Sequence, residues 1–161
     1  MDKKKRYLEL LIEKQLSFDR ISSELGIDRK LVSKWYEELR LERESLAKVR
    51  TIWLTKELQN IPLMDFNEWY NGNRKCYYCG ITEDEIAILF DKKQIFTKRN
   101  RGKKLEIDRK KSELKYKDDI ENLVHSCYWC NNAKTDTFTA EEFKEIGKAI
   151  SIIWHRRLQK C

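Results

Sequence analysis

Apolar residues recur every three or four positions through the first 60 residues, which places them along one face of an α-helix. The first such stretch covers residues 3–16. A second follows Ser17, a good N-cap residue, and ends at Gly26. Asp28 is placed to cap a third helix, which the pattern extends toward Asn60. The N-terminal part of the chain is therefore predicted to be helical.

The third stretch carries an apolar stripe with roughly heptad spacing. That stripe is compatible either with a connector helix packed on its own domain, the interpretation we favour, or with a dimer seam. Pro62 ends the region, and we place a domain boundary between Gln59 and Asn67, giving domains 1–60 and 67–161. The stripe comprises Leu39, Leu46, Val49 and Trp53.

Shorter elements follow the boundary. Thr82 and Glu85 form a capping-box pair before a short helix, and Thr139 caps a long one over Ala140–Gln159. Strands are predicted at Leu105–Asp108 and Leu123–Ser126, and a short helix from Asn131. The fold class predicted is mainly α with a small β-hairpin. Apolar positions expected to pack inward are Ile86, Ile88, Leu89, Phe90, Phe143, Ile146, Ile150, Ile153 and Trp154.

Three apolar clusters near the N-terminus resemble a helix-turn-helix: Ile21-Ser22, Leu25-Gly26-Ile27 and Leu31-Val32. Ser22 supplies the small residue that lets two helices cross closely. The resemblance implies that the second helix of the pair enters a DNA major groove. A plain three-helix bundle or a dimerisation head is the alternative. The side chains offered to DNA would be Arg29, Lys30, Ser33 and Lys34.

Net charge and cysteine usage narrow the classes of partner. A net charge of +7 favours a polyanionic partner, and no apolar run approaches the ~20 residues that span a bilayer. The basic N-terminus is interrupted by Glu9 and Glu13, unlike a signal peptide, so we expect a reducing cytoplasm. A pair of Cys-x-x-Cys motifs then favours a metal site over disulfides, redox dithiols or free core cysteines. Its members are Cys76, Cys79, Cys127 and Cys130.

Four thiolates fill the tetrahedral coordination of zinc, so this Zn²⁺ is predicted to be structural and not catalytic. From Cys76 to Asp136 the order is strand, loop, strand, cysteine pair and helix. This order resembles the HNH (ββα-metal) endonucleases of the zinc-bearing branch, whose motif residues are matched by Asp108, Asn122 and Asn131. The resemblance implies hydrolysis of DNA phosphodiesters. Asp108 and Asn131 would bind a catalytic Mg²⁺ or Mn²⁺ ion, and Asn122 would hold the loop between the strands.

Arg109 departs from the family pattern, since it occupies the position of the general-base histidine. An arginine cannot accept a proton at neutral pH but can clamp a phosphate. His125 and Tyr116 are the alternative bases, or the reaction needs no side-chain base. Glu106 shares a strand face with Asp108 and is interpreted as a solvated or ion-paired neighbour more readily than as a further metal ligand.

A basic loop precedes the first predicted strand and suits either phosphate contact or a solvated hairpin tip. Double-stranded DNA is the expected partner, and a homodimer is possible. A restriction, homing or phage endonuclease is the leading hypothesis; a non-catalytic zinc-stabilised DNA-binding protein and an RNA-cutting effector are the alternatives. The basic residues of this loop that are predicted to bind DNA are Arg99, Arg101, Lys103 and Lys104.

Overall fold

The computed structural model describes residues 2–97, 101–113 and 119–161. The chain divides into two compact units, Met1–Tyr70 and Asn71–Cys161. None of the helices in these described ranges is both long and apolar enough to cross a membrane. Each unit has a core of its own, so the two are described separately.

The first unit consists of helices joined by short turns. The first four are α1 (Lys3–Leu8), which continues as a π-helical turn over Glu9–Glu13, α2 (Phe18–Leu25), α3 (Arg29–Glu38) and α4 (Arg40–Thr55). The first helical segment therefore stops before Leu16, where it was expected to end. Gln15 takes a positive φ of 53°, which turns the backbone out of the helix.

The predicted caps of α2 and α3 are confirmed. The Ser17 side chain accepts a hydrogen bond from the N–H of Arg20, and the Asp28 side chain accepts one from the N–H of Lys30. Gly26 ends α2 in the left-handed conformation at φ 57°, which costs little without a Cβ. Ser22 Oγ donates to the carbonyl of Ile27 at 2.6 Å, which ties the end of α2 to the turn before α3.

The continuous third helix expected to reach Asn60 is wrong in two respects. It is broken at Leu39, whose φ of −98° and ψ of 31° are not helical, and α4 ends at Thr55. The next helix, α5 (Leu63–Asn71), was not predicted. The stripe Leu39, Leu46, Val49 and Trp53 is buried, and Trp53 Nε1 donates to the Ile61 carbonyl at 2.9 Å. Burial within the chain favours the connector interpretation.

The second unit carries a two-stranded antiparallel sheet and three helices in its described part. The elements are α6 (Glu83–Asp91), β1 (Glu106–Arg109), a 3-10 turn (Ile120–Asn122), β2 (Leu123–Ser126), α7 (Tyr128–Lys134) and α8 (Ala140–Leu158). The fold is thus mostly helical with a small hairpin, as predicted. β1 lies one residue further along than predicted and includes Arg109.

Helix α7 begins at Tyr128, inside the second cysteine pair, and not at Asn131 as predicted. The physical reason is the cap: the Cys127 sulfur accepts a hydrogen bond from the Cys130 N–H at 3.4 Å, so the helix starts directly after Cys127. Both Thr82 and Thr139 form the predicted capping boxes, with Glu85 and Glu142. Asn131 consequently lies on the second turn of a helix that the cysteine pair initiates.

Most of the predicted inward-facing positions of the second unit are covered. Phe143 and Trp154 on α8 and Ile86 and Leu89 on α6 are buried in one cluster with the four cysteines. The prediction is wrong for three isoleucines, which remain partly solvent-exposed. The three are Ile88, Ile146 and Ile153. They stay exposed because the apolar face of each helix is wider than the surface that covers it.

Helix α8 approaches the turn between the first two cysteines at Gly147. A Cβ at this position would lie 2.4 Å from the Tyr78 carbonyl oxygen, closer than any real contact. The Phe143 ring, one turn earlier, meets the Tyr78 ring edge-on at 5.2 Å. The missing side chain of Gly147 therefore lets α8 fix the position of Tyr78.

Replacement of Gly147 by alanine tests this contact. We expect Gly147→Ala to lower the free energy of unfolding by about 1–3 kcal/mol, because the added methyl forces the Tyr78 backbone away. Helix propensity alone would raise stability by roughly 1 kcal/mol, so the sign of the change is decisive. Denaturant unfolding of the full chain measures it. Lys148→Ala, at an exposed position of the same helix, should change little.

Candidate functional site

The four paired cysteines converge on one buried point. Their sulfur atoms all lie within 4.8 Å of one another, and none forms a disulfide. The Cys79 and Cys127 sulfurs are 3.7 Å apart. A Zn–S bond of about 2.3 Å implies a tetrahedron edge of about 3.8 Å, so the cluster has the dimensions of a zinc site. A redox dithiol would not require the second pair to meet the first.

Hydrogen bonding within the cluster lowers the pKa of two of its thiols, Cys76 and Cys79, and so favours their ionisation. The pKa of Cys76 is lowered because the neighbouring thiols, Cys127 first, then Cys130 and Cys79, hydrogen-bond to its thiolate. A thiolate is the form of cysteine that binds a metal. The turn that presents Cys76 and Cys79 is closed by a hydrogen bond from the Gly80 N–H to the Cys76 carbonyl at 2.9 Å. The residues present therefore fit a structural zinc ion.

The hairpin presents two carboxylates on one face. Glu106 pairs with Ser126 and Asp108 with Val124, and alternate residues of a strand share a face. Helix α7 packs on this face. The Asn131 Nδ2 donates to Glu106 Oε2 at 2.6 Å. The amide and the two carboxylates therefore belong to one cluster of oxygen-bearing side chains.

One helical turn beyond Asn131, the buried side chain of Lys134 on α7 lies beside the carboxylate of Asp108. The Lys134 Nζ lies 3.7 Å from Asp108 Oδ2, and this lysine is 1% exposed. A lysine is almost never so buried unless it is paired. The helix and the strand thus meet along matched pairs, Asn131 with Glu106 and Lys134 with Asp108. Lys134 was not among the predicted site residues, although its spacing of three residues from Asn131 places both on one helix face.

Tyr78 is the second group that contacts Asp108. Its hydroxyl donates to Asp108 Oδ2 at 2.8 Å. Burial and this hydrogen bond both raise the pKa of Tyr78, so the phenol keeps its proton. Both contacts fall on Oδ2, while Oδ1 of Asp108 accepts no hydrogen bond from the described residues. Tyr78 was also missed, because its position between two zinc-binding cysteines suggested packing alone.

Asn122 lies at the other end of the hairpin. Its side-chain oxygen accepts from the Lys111 N–H at 2.9 Å, and its Nδ2 donates to the Lys111 carbonyl at 3.3 Å. Its own carbonyl accepts from the Lys110 N–H at 2.8 Å. These three bonds join the two ends of the connection between β1 and β2. Asn122 is buried and is held apart from solvent.

Two further predicted catalytic residues, Arg109 and His125, do not share the strand face of Asp108. His125 pairs with Ile107 and Arg109 with Leu123, which places both on the strand face opposite Asp108. His125 is buried, and its carbonyl accepts the Tyr77 N–H at 2.8 Å. The structure therefore does not bring His125 to the carboxylate. Tyr116 lies outside the described residues.

The predicted DNA contacts differ in how firmly they are held within the protein. Arg29 pairs with Asp19 at 2.6 Å and donates to Ser33 at 3.1 Å, whereas Lys30 and Lys34 are exposed on α3. In the basic loop, Lys104 lies 3.5 Å from Glu83. Arg101 and Lys103 lie over the rings of Tyr128 and Phe90, each at 5.7 Å. Arg99 lies outside the described residues.

No protein-family model and no curated protein matches the sequence. A search of solved structures finds the rare-cutting HNH restriction endonuclease PacI, in a structure described as showing an extraordinary mechanism of DNA perturbation. The similarity has a TM-score of 0.53 and 27% sequence identity, over 71% of this chain and 79% of that one.

At 71% of this chain, the similarity extends over more residues than the cysteine cluster and the hairpin contain. The cluster could hold a zinc ion, and the hairpin is followed by a helix that packs on its carboxylate face. The chain is therefore similar in structure to an HNH restriction endonuclease, and the similarity supports a nuclease-like function.

Proposed function

We propose that this protein is a metal-dependent HNH endonuclease that hydrolyses phosphodiester bonds of double-stranded DNA. The observation that carries the proposal is the meeting of α7 with β1. Asn131 bonds to Glu106, and Lys134 approaches Asp108, on a single face of the hairpin. The similarity to a restriction endonuclease supports the same conclusion from the whole fold.

The donor atoms on this face fit a hard divalent cation such as Mg²⁺ or Mn²⁺. Asp108 offers Oδ1, and the Asn131 amide keeps its oxygen available because its nitrogen is bound to Glu106. Oxygen ligands are what such cations prefer. Asp108 and Asn131 would hold the ion, which when bound stabilises the negative charge that develops on the phosphate and the leaving oxygen.

The groups around Asp108 would position it and balance its charge. Tyr78 and Lys134 both hold Oδ2, which leaves the carboxylate a single orientation. Lys134 also offsets one of the two negative charges of Glu106 and Asp108, so the pair remains anionic by one unit. Such partners of a metal ligand commonly raise metal affinity or activity 10–100-fold.

Arg109 remains the proposed phosphate clamp, since a guanidinium stays charged and forms two parallel hydrogen bonds to an anion. Arg109 lies on the strand face opposite Asp108, but it is the last residue of β1 and only half-buried. His125 lies on that same opposite face and is buried, so the proton acceptor for the attacking water is not assigned to it. Tyr116 remains a candidate from sequence. Asn122 would preserve the shape of the connection beside the site through its bonds to Lys111.

Duplex DNA is favoured over RNA by the first unit. Its α2, turn and α3 have the order of a helix-turn-helix, and Lys30 and Lys34 are exposed on α3 for contact with phosphates or bases. A restriction enzyme would act as a two-fold dimer on a palindrome, whereas a homing or phage enzyme could nick as a monomer. The homodimer stays a prediction from sequence.

A non-catalytic DNA-binding protein is the second candidate. Two observations favour it: Arg109 stands where a histidine is usual, and a lysine already neutralises Asp108. This candidate predicts salt-sensitive DNA binding without cleavage in any metal. The cleavage experiment on Asp108 below therefore distinguishes the two.

Zinc loading is testable on the purified chain. We expect one zinc ion per chain by elemental analysis, and loss of both zinc and the unfolding transition of the second unit in Cys130→Ser. The reason is that metal binding contributes directly to folding at such sites. Cys161→Ser, which alters the exposed cysteine outside the cluster, should keep its zinc and its transition. A zinc-free wild type with an intact second unit would exclude the structural role.

Removal of the carboxylate charge at Asp108 tests the nuclease. With Mg²⁺ or Mn²⁺ and supercoiled plasmid, Asp108→Asn should cut at least about 100-fold more slowly than wild type, because a metal ligand is lost while the shape is kept. Asp136→Asn, an exposed acid just beyond α7, is the matched control and should cut normally. Equal rates for wild type and Asp108→Asn would refute the site.

Removal of one hydroxyl tests the orientation of the carboxylate. Tyr78→Phe retains the edge-on contact with Phe143 but leaves Asp108 Oδ2 with Lys134 alone. We expect the Mn²⁺ concentration for half-maximal cleavage to rise about 10-fold or more. Tyr128→Phe keeps the ring contact with Trp129 and removes a hydroxyl that donates no hydrogen bond to Asp108, so it should leave that concentration unchanged. An unaltered Mn²⁺ dependence in Tyr78→Phe would remove Tyr78 from the site.

A further inference from the structure

Two lysines converge on a single aromatic ring beside the hairpin. The Lys144 Nζ, from α8, lies 4.1 Å from the centre of the Tyr77 ring, and the Lys110 Nζ, from the residue after β1, lies 5.7 Å from it. Each contact is an ordinary cation–π interaction. Their combination is unusual, because two positive charges are brought to one ring from separate elements.

These two ammonium groups have no acidic counterpart in the described ranges. No carboxylate of residues 2–97, 101–113 or 119–161 lies within 4.0 Å of either nitrogen. On the same helix, Lys148 is paired with Glu145 at 2.6 Å. Like charges gathered without a counter-ion create a positive potential that an anion from solution would relieve.

The lysine pair lies beside the carboxylate site. The Tyr77 and Tyr78 rings meet edge-on at 5.3 Å, and the Tyr78 hydroxyl contacts Asp108. The Tyr77 N–H is bonded to the carbonyl of His125 on β2, which fixes the tyrosine to the hairpin. An anion held by Lys110 and Lys144 would therefore lie about two side chains from Asp108.

The distribution of charge along the chain agrees with an anion partner for this unit. Residues 71–161 carry 20 lysines and arginines against 14 aspartates and glutamates, so six of the seven net positive charges belong to the second unit. The helix-turn-helix-like unit is nearly neutral. Electrostatic attraction to a polyanion is thus concentrated in the unit with the carboxylates.

We infer that Lys110 and Lys144, which both contact the Tyr77 ring, form a phosphate subsite that binds the DNA backbone next to the bond to be cut. This inference deepens the proposed function and rests on it. Neither lysine is among the residues that carry the resemblance to HNH nucleases or to a helix-turn-helix. The subsite would contribute affinity and register, while sequence would be read elsewhere.

The experiment measures duplex binding without cleavage, on the full chain carrying Asp108→Asn. The dissociation constant for a fluorescent random-sequence duplex is followed across a KCl series. In this background Lys144→Met should weaken binding at low salt and reduce the slope of log affinity against log salt by about 0.9, the value for one lost phosphate contact. Lys110→Met with Lys144→Met should reduce it by about 1.8. Lys144→Arg should restore the parental slope.

Lys148→Met is the matched control, since it removes a paired lysine one turn along α8 and should leave the slope unchanged. An unaltered slope in Lys144→Met, with an unchanged unfolding midpoint, would overturn the subsite. If wild type cuts DNA in that case, the proposed function survives alone. If wild type never cuts but Lys144→Met still lowers the slope, the subsite stands and the nuclease proposal fails. Absence of any duplex binding by the Asp108→Asn chain would overturn both.

Discussion

The convergence of four cysteine sulfurs is the constraint on which the second unit depends. Cys76 and Cys79 come from a tight turn, and Cys127 and Cys130 from the end of β2 and the first turn of α7. With sulfurs within 4.8 Å of one another, these segments cannot separate without breaking the cluster. A hairpin of four-residue strands would be only marginally stable alone, so the cysteine cluster supplies stability that the hydrogen bonds of the hairpin do not provide.

The cysteine cluster also positions the other residues of the site, because they are its neighbours along the chain or in contact with those neighbours. The turn that carries Cys76 and Cys79 also carries Tyr77 and Tyr78, so the aromatic rings beside the hairpin are placed by the same cluster. Cys127 caps α7, and the helix then directs Asn131 and Lys134 at β1. Gly147 on α8 fixes Tyr78 from the other side. Each side chain around Asp108 is therefore held by a neighbour that is itself fixed.

Local chemistry was predictable from sequence wherever it depends on neighbours along the chain. The caps at Ser17, Thr82 and Thr139 were found because a capping side chain bonds residues two or three positions away. The cysteine pairs were found because their spacing suits one metal. The start of α7 was misplaced since its cap is a cysteine, which rarely caps a helix. The exposed isoleucines were misjudged because periodicity locates an apolar face but not what covers it.

Contacts between distant segments were not predictable in this way. Tyr78 and Asp108 are thirty residues apart. The role of Lys134 depends on the direction in which α7 crosses β1, which no periodic pattern specifies. The opposite placement of His125 follows from strand alternation, which the sequence did suggest, together with a register that it did not give. The residue types of the site are thus predictable from sequence, whereas the contacts between them depend on the folded chain.

The cap at Cys127 has a consequence for the timing of any activity. If the cluster binds zinc, the first turn of α7 is ordered only after the ion arrives, and Asn131 and Lys134 are aimed only from that moment. Under the proposed nuclease function, a newly made chain would then cut no DNA until it is metallated. Supply of zinc, rather than synthesis of the polypeptide, would govern when the second unit matures.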